Sequence, residues 1–184
     1  SCFFPFWEAG PATAANHCAS LGCEMDGLLR STATLPASAF LRAPDYLSAS
    51  EVATLPCAAV TAWAALLTRG GLIPGEHVLV QGTGGVAVFA VQFAKAMGAT
   101  VTVISSSDEK LHKICQLGAD HTVNYVEYPR WSDRVIELLG GEHIDLAIEL
   151  GGAETLAQSL NCLRVGGRIS VIGVLSGNEA QVVI

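Results

Sequence analysis

Positive charge is sparse in this sequence: ten Lys and Arg stand against seventeen Asp and Glu, and nowhere do the basic residues cluster. The net charge of −7 argues against a surface for nucleic acid or an anionic membrane. Small molecules or other proteins are the expected partners. Also missing is an unbroken apolar run of the ~18 residues that a membrane span requires. The most apolar stretch, Val78 to Ile104, is interrupted by Gln81, the glycines around Gly84, Gln92, Lys95 and Gly98, so no membrane is expected. No C-x-x-C pair occurs among Cys2, Cys18, Cys23, Cys57, Cys115 and Cys162. Free thiols in a reducing compartment, the cytoplasm by default, are therefore expected rather than a disulfide framework. The chain begins at Ser1 without a Met, a basic leader or a cleavage-site pattern, and reads as a piece of something longer.

What the sequence does have is apolar and small residues. A hydrophobic share of 51% with 19 Gly excludes a disordered or coiled-coil chain and points to buried backbone and tight turns. A mean hydropathy of +0.44 has to be buried in a core or against a partner. The 184 residues suffice for one domain with a little left over.

Residues 1–50 are irregular in pattern, with Pro5, Pro11, Pro36 and Pro44 among short apolar groups, and predict loops and short strands. Ser48 followed by Glu51 is a capping-box pattern, and a small-residue helix is expected from Ala58 to Leu67. After Pro74-Gly75 the text becomes a regular alternation. Strands are predicted at His77–Gln81, Thr100–Ser105, His121–Asn124, Asp145–Leu150 and Arg168–Val174. Helices are predicted at Val86–Met97, Asp108–Leu117, Trp131–Leu139 and Ala153–Leu163. Strands this apolar, each separated by a helix, imply an α/β fold with a doubly wound parallel sheet, the Rossmann arrangement, over residues 51–178. Ser106 with Glu109 reads as a second capping box, and Gly98, Gly118 and Gly140 fall where helix C-terminal caps are wanted. Gln181-Val182-Val183-Ile184 reads as the opening of a further strand, residues 179–184 being the start of a return segment.

The strongest chemical signal is Gln81-Gly82-Thr83-Gly84-Gly85-Val86-Ala87, a G-x-G-x-x-A set between a strand and a helix. Gly82 permits the sharp turn, Gly84 has no Cβ to block a pyrophosphate, and Ala87 lets the helix pack closely on the sheet. The helix N-terminus then binds the anion. An acidic residue at the end of the second strand would bind the ribose hydroxyls of NAD, but the sequence reads Ser105-Ser106-Ser107 there. Hydroxyls at Ser105 and Ser106, with Lys110 as counter-charge, favour the 2′-phosphate of NADP, with NAD the alternative.

These residues, together with Ala53-Thr54-Leu55-Pro56-Cys57-Ala58-Ala59-Val60-Thr61-Ala62-Trp63, Leu117-Gly118-Ala119-Asp120, Asn124-Tyr125 and Gly166-Gly167-Arg168, resemble the medium-chain dehydrogenase/reductase superfamily, in its zinc-type alcohol dehydrogenase and quinone oxidoreductase branches. The resemblance implies a two-domain oxidoreductase, homodimeric when intact, with a Rossmann domain inserted in a GroES-like catalytic domain. Residues 1–50 would then be a remnant of that catalytic domain. It implies that Thr61 lies near the nicotinamide and that Gly82, Thr83, Gly84, Gly85 and Val86 form the pyrophosphate loop. Ser105, Ser106 and Lys110 resemble the ribose-phosphate site, with Tyr125 near it. Leu150, Gly151, Ile172, Gly173 and Val174 would contact the nicotinamide half.

Catalytic zinc takes about three protein ligands. Cys57 matches the third ligand of the zinc-dependent relatives, yet it equally suits a small buried helix residue, and alone it makes no site. His17, Cys18, Cys23 and Glu24 have only a loose metal-like composition, so no metal is expected in this chain. His112, His121 and His143 read as solvated. The chemistry implied for the intact protein is hydride transfer between a nicotinamide and an alcohol, carbonyl or conjugated enone. The alternatives are a zinc-free quinone or enone reductase, and a dinucleotide-binding protein without turnover. The apolar groups at Cys2 to Trp7 and Val182 to Ile184 are expected to face an absent domain.

Overall fold

A computed structural model describes residues 4–7, 9–11, 13–14 and 19–181. The expectations for Cys2, His17, Cys18 and Val182 to Ile184 lie outside these residues. The chain divides into two compact units, Ser1–Cys57 and Ala58–Ile184.

The first unit is mostly irregular. Its described residues hold a single isolated bridge, Leu21 to Met25, a 3-10 turn at Ala37–Ala39, and the short helix α1, Ala49–Val52. The short strands expected here are thus reduced to one bridge. The capping box at α1 is complete: the Ser48 hydroxyl accepts from the Glu51 N–H, and the Glu51 carboxylate accepts from the Ser48 N–H at 2.8 Å. That contact holds the Glu51 carboxyl below its ordinary value.

The second unit opens on helical backbone, with α2 at Val60–Trp63 flanked by π-helical turns at Leu55–Ala59 and Ala64–Thr68. The continuous α-helix expected over Ala58 to Leu67 is therefore widened at both ends, as in the bond from the Arg69 N–H to the Ala64 carbonyl, five residues back. By length and a mean hydropathy of 1.4 the helical stretch Ala49–Thr68 matches a membrane span. It is not an unbroken apolar run, since Ser50, Glu51, Thr54 and Pro56 interrupt it. In the second unit its Ala62, Ala65 and Leu66 are core residues.

A five-stranded, all-parallel sheet follows in the order β3-β2-β1-β4-β5. The strands are β1 (His77–Gln81), β2 (Thr100–Ser105), β3 (His121–Asn124), β4 (Ile144–Glu149) and β5 (Leu163–Val171). The connecting helices are α3 (Gly85–Ala96), α4 (Asp108–Gln116), α5 (Trp131–Leu138) and α6 (Ala153–Cys162). The doubly wound α/β expectation is met. Because side chains alternate across a strand, Val78 and Val80 enter one core with Val91, Val101, Val103, Leu146 and Ile148. Leu79 enters the opposite core with Ile104, Trp131, Val135 and Ala147. Each such fully buried Val or Leu contributes roughly 1.5–3 kcal/mol.

β5 and the capping residue of α4 differ from expectation, while the other boundaries of the sheet and its connecting helices fall within one residue of it. β5 starts five residues early, because Leu163 already pairs with Ile144 before an irregularity in the register. It stops at Val171, three residues short of the expected Val174. It is also the sheet's edge, so Val165 and Val171 are exposed rather than covered. Helix α4 is capped by Ser107, whose hydroxyl accepts from the Lys110 N–H, and not by Ser106: the extended backbone at Ser107 puts the cap one residue later.

Candidate cofactor cleft

At the C-terminal ends of β1 and β4, where a switch in strand order leaves a crevice, the second unit has a cleft of about 920 Å³. Its floor begins at the loop leaving β1. Gly82 turns there with φ +75°, a conformation L side chains rarely adopt, and its N–H bonds the Ile104 carbonyl at 2.7 Å. Gly84 is extended, and a Cβ built on it would meet nothing within 4 Å, so any side chain there would project into open space. Gly85 then starts the twelve-residue α3 with no side-chain cap. The first N–H groups of that helix have no intrahelical acceptor, and its positive end faces the cleft.

Of the residues singled out from the sequence, the structure brings Gly82, Gly84, Gly85, Val86, Tyr125, Leu150, Gly151 and Gly173 into the cleft wall. Thr83, Ile172 and Val174 flank those residues without lining the cleft. Thr61 is half-buried on α2, one turn beyond Ala58, whose Cβ abuts the Gly85 position. Ser105 is buried at the end of β2, with its carbonyl accepting from the Tyr125 N–H at 3.1 Å, whereas Ser106 and Lys110 are exposed outside the cleft. The nearest following carboxylate, Asp108, accepts from the Asn124 amide at 2.8 Å.

Cys57 is exposed rather than buried, which corrects the reading of it as a packing residue. Among the described residues no group of three or more His, Cys, Asp or Glu is placed to hold a metal, so the residues present do not make a zinc site. Cys162 is a different kind of cysteine: burial, with the nearby Asp133 charge adding to it, pushes its thiol up to about 12 and leaves it unreactive.

Sequence reasoning missed a buried polar cluster behind the cleft wall. Glu149, at the end of β4, is fully buried without a cationic partner, and its carboxylate accepts from Gln81, Ser159, Thr155 and the Gly151 and Gly152 N–H groups. The signal was present as one acidic residue ending an apolar strand, since a carboxylate buried there needs a full set of donors. Close approach is enforced around it: a Cβ on Gly151 would sit 2.3 Å from the Thr155 hydroxyl, and one on Gly173 would sit 2.1 Å from the Leu150 carbonyl oxygen.

The family model described as zinc-binding dehydrogenase matches residues 85–184. The chain belongs to the zinc-binding dehydrogenase family. It is 48% identical over 176 residues to a zinc-type alcohol dehydrogenase-like protein of Schizosaccharomyces pombe, covering 95% of this chain and 51% of the relative. A Sinorhizobium meliloti structure assigned as an alcohol dehydrogenase superposes with a TM-score of 0.90 at 46% identity, over 99% of this chain and 54% of that one. A mycobacterial protein solved with NADPH matches at 32% identity and a TM-score of 0.74, over 80% of this chain and 45% of its own. The chain thus spans about half the length of these relatives.

Proposed function

We propose that this chain is the dinucleotide-binding part of an NADP(H)-dependent oxidoreductase that moves a hydride between the nicotinamide and an alcohol, carbonyl or conjugated enone. The observation that carries the reading is the open space at Gly84, where a Cβ would meet nothing within 4 Å, beside the uncapped start of α3. A pyrophosphate fits that chemistry: two adjacent anionic groups meet free N–H donors, a positive helix end and no opposing carboxylate on the loop.

When bound, the nicotinamide supplies the hydride chemistry itself. The residues of this chain bind, orient and exclude water. Gly82 to Val86 would take the pyrophosphate, and Leu150, Gly151 and Gly173 would support the nicotinamide half, with Thr61 oriented toward it. Tyr125 and Trp131 offer apolar surface at the adenosine end. Preference for NADP is supported by Ser105 and Ser106 at the strand end and by the capture of Asp108 by Asn124, which engages the local carboxylate away from a 2′-phosphate. The remainder of the reading is an intact enzyme acting on a small molecule in the cytoplasm as a homodimer.

Titration of the full chain with NADPH and NADH, followed by nicotinamide fluorescence, tests the proposal. Saturable binding with NADPH the tighter ligand is expected. A folded chain that binds neither overturns it.

A further inference from the structure

We propose that Glu149 and Gln81 form a positioning pair that joins the pyrophosphate loop to the shelf under the nicotinamide, so that both halves of the dinucleotide meet one rigid surface. This rests on the dinucleotide reading above. Gln81 is the last residue of β1, immediately before Gly82, and Glu149 is the last of β4, immediately before Leu150 and Gly151. The loop and the shelf lie on neighbouring strands, and side chains inside the protein connect them.

The wiring has a definite polarity. Glu149 Oε1 accepts from the Gly151 and Gly152 N–H groups, each at 2.9 Å, and from the Thr155 hydroxyl at 2.6 Å. Its Oε2 accepts from Gln81 Nε2 at 2.5 Å and from the Ser159 hydroxyl at 2.6 Å. Gln81 Oε1 in turn accepts from the Leu150 and Gly151 N–H groups at 3.1 and 2.8 Å, while Nε2 also donates to Ser159 Oγ at 2.6 Å. A flipped Gln81 amide would face two N–H donors with its own N–H groups and the carboxylate with its oxygen. Only one orientation therefore satisfies the cluster.

All three N–H groups that follow β4 are thus held inward. The outward side of the shelf is fixed separately. The Glu149 carbonyl accepts from the Ile172 and Gly173 N–H groups, and the Gly151 carbonyl accepts from the Ser176 N–H and hydroxyl. Through its side chain Glu149 holds β1, and through its backbone it holds the segment after β5. Preorganisation of this kind lowers the ordering cost of binding a long ligand that touches both places.

The same polarity gives a sharp test, because the pair can be exchanged. Glu149→Gln alone puts an amide NH₂ against N–H donors in either orientation. The double variant Gln81→Glu with Glu149→Gln restores a complementary set, with carboxylate and amide in swapped places and the Ser159 hydroxyl turned around. Binding of NADPH and of 2′,5′-ADP, which lacks the nicotinamide half, is measured by calorimetry on the full chain. Wild type is expected to bind both. Glu149→Gln should weaken NADPH at least about tenfold while 2′,5′-ADP stays within about twofold, and the double variant should recover NADPH binding to within about threefold. A purely structural role would weaken both ligands together and would not separate them.

Unchanged NADPH affinity in Glu149→Gln overturns the proposal while leaving the dinucleotide reading intact. So does equal loss of both ligands. If Glu149→Gln fails to fold, the double variant decides: recovery of folding and NADPH binding supports the pair, and continued failure contradicts it. A folded wild-type chain that binds no dinucleotide overturns the reading itself, and the positioning pair with it.

Discussion

The two ends of the parallel sheet are built by opposite means. At the end where the strands begin, full charges are paired: Arg168 bonds Glu76 and the Gly71 carbonyl, Arg164 bonds Asp145, and Asp145 also accepts from the His77 N–H at 2.8 Å. Lys95 and the Val101 N–H converge on Asp120, just before β3. At the end where the strands finish there is no ion pair among the described residues of the cleft wall; glycines, uncapped N–H groups and one amide-carboxylate cluster do the work. Charges paired with each other stabilise a fold but leave nothing to offer a ligand. Backbone donors without a side-chain cap do the reverse, so the proposed binding function and the stabilising ion pairs fall at opposite ends of the sheet.

That division yields crossed expectations. The largest effect should come from Gly84→Val: a branched side chain in the pyrophosphate path should weaken NADPH about 100-fold or more, equivalent to about 2.7 kcal/mol. Its thermal midpoint should barely move, because the Cβ has open space around it. Substantial unfolding without loss of affinity would break the comparison.

Next is specificity. Ser106 is exposed at the end of β2, so Ser106→Asp can introduce a carboxylate there without disturbing buried Ser105. The NADPH to NADH affinity ratio should fall about tenfold, one such step being 1.4 kcal/mol. A ratio that does not move counts against the placement of the ribose phosphate.

At the other end, Arg168→Ala should cost about 2 kcal/mol, because it leaves the buried Glu76 carboxylate short of a charged donor. In a chain of this length that lowers the thermal midpoint by roughly 4–8 °C. NADPH affinity should stay unchanged. A loss of affinity comparable to that of Gly84→Val would merge the two ends.

The smallest effect is with acid. Partial burial raises the pKa values of Asp120 and Asp145, but bonds outweigh it: Lys95 and the Val101 N–H for Asp120, Arg164 and the His77 N–H for Asp145 hold these carboxyls below their usual range. Because the folded pKa is the lower one, their stabilisation is present above the unfolded value of about 3.9 and is lost as pH falls through the folded one. Asp120→Asn and Asp145→Asn should therefore be less stable than wild type at pH 6 and converge on it toward pH 2. A gap that persists in acid would contradict the sign.

The same contrast marks what was legible in the sequence. β1, β2 and β3 were readable to the residue because short β-branched runs are bounded by Pro-Gly, Gly-Ala and Ser-rich turns. The glycine loop was readable because its geometry is local: Gly82 takes a positive φ, and Gly84 leaves open space where a side chain would stand. β5 was misplaced because Arg164-Val165-Gly166-Gly167 looks like a turn, and only its pairing with β4 extends it. The Ser106 cap was missed by one residue because three consecutive serines offer the same hydroxyl, and backbone conformation chooses among them. The partnership of Gln81 with Glu149 was not legible for a deeper reason. They are 68 positions apart, and each by itself looks like a polar interruption of an apolar strand. Only the parallel register of β1 against β4 makes them partners.

The central claim is that the glycine end of the sheet holds a dinucleotide, and paired titrations of wild type and Gly84→Val with NADPH test it most directly. Wild type should bind saturably, and the variant should lose that binding with its thermal midpoint unchanged. Equal affinity in the two proteins, or no binding by a folded wild-type chain, would contradict it.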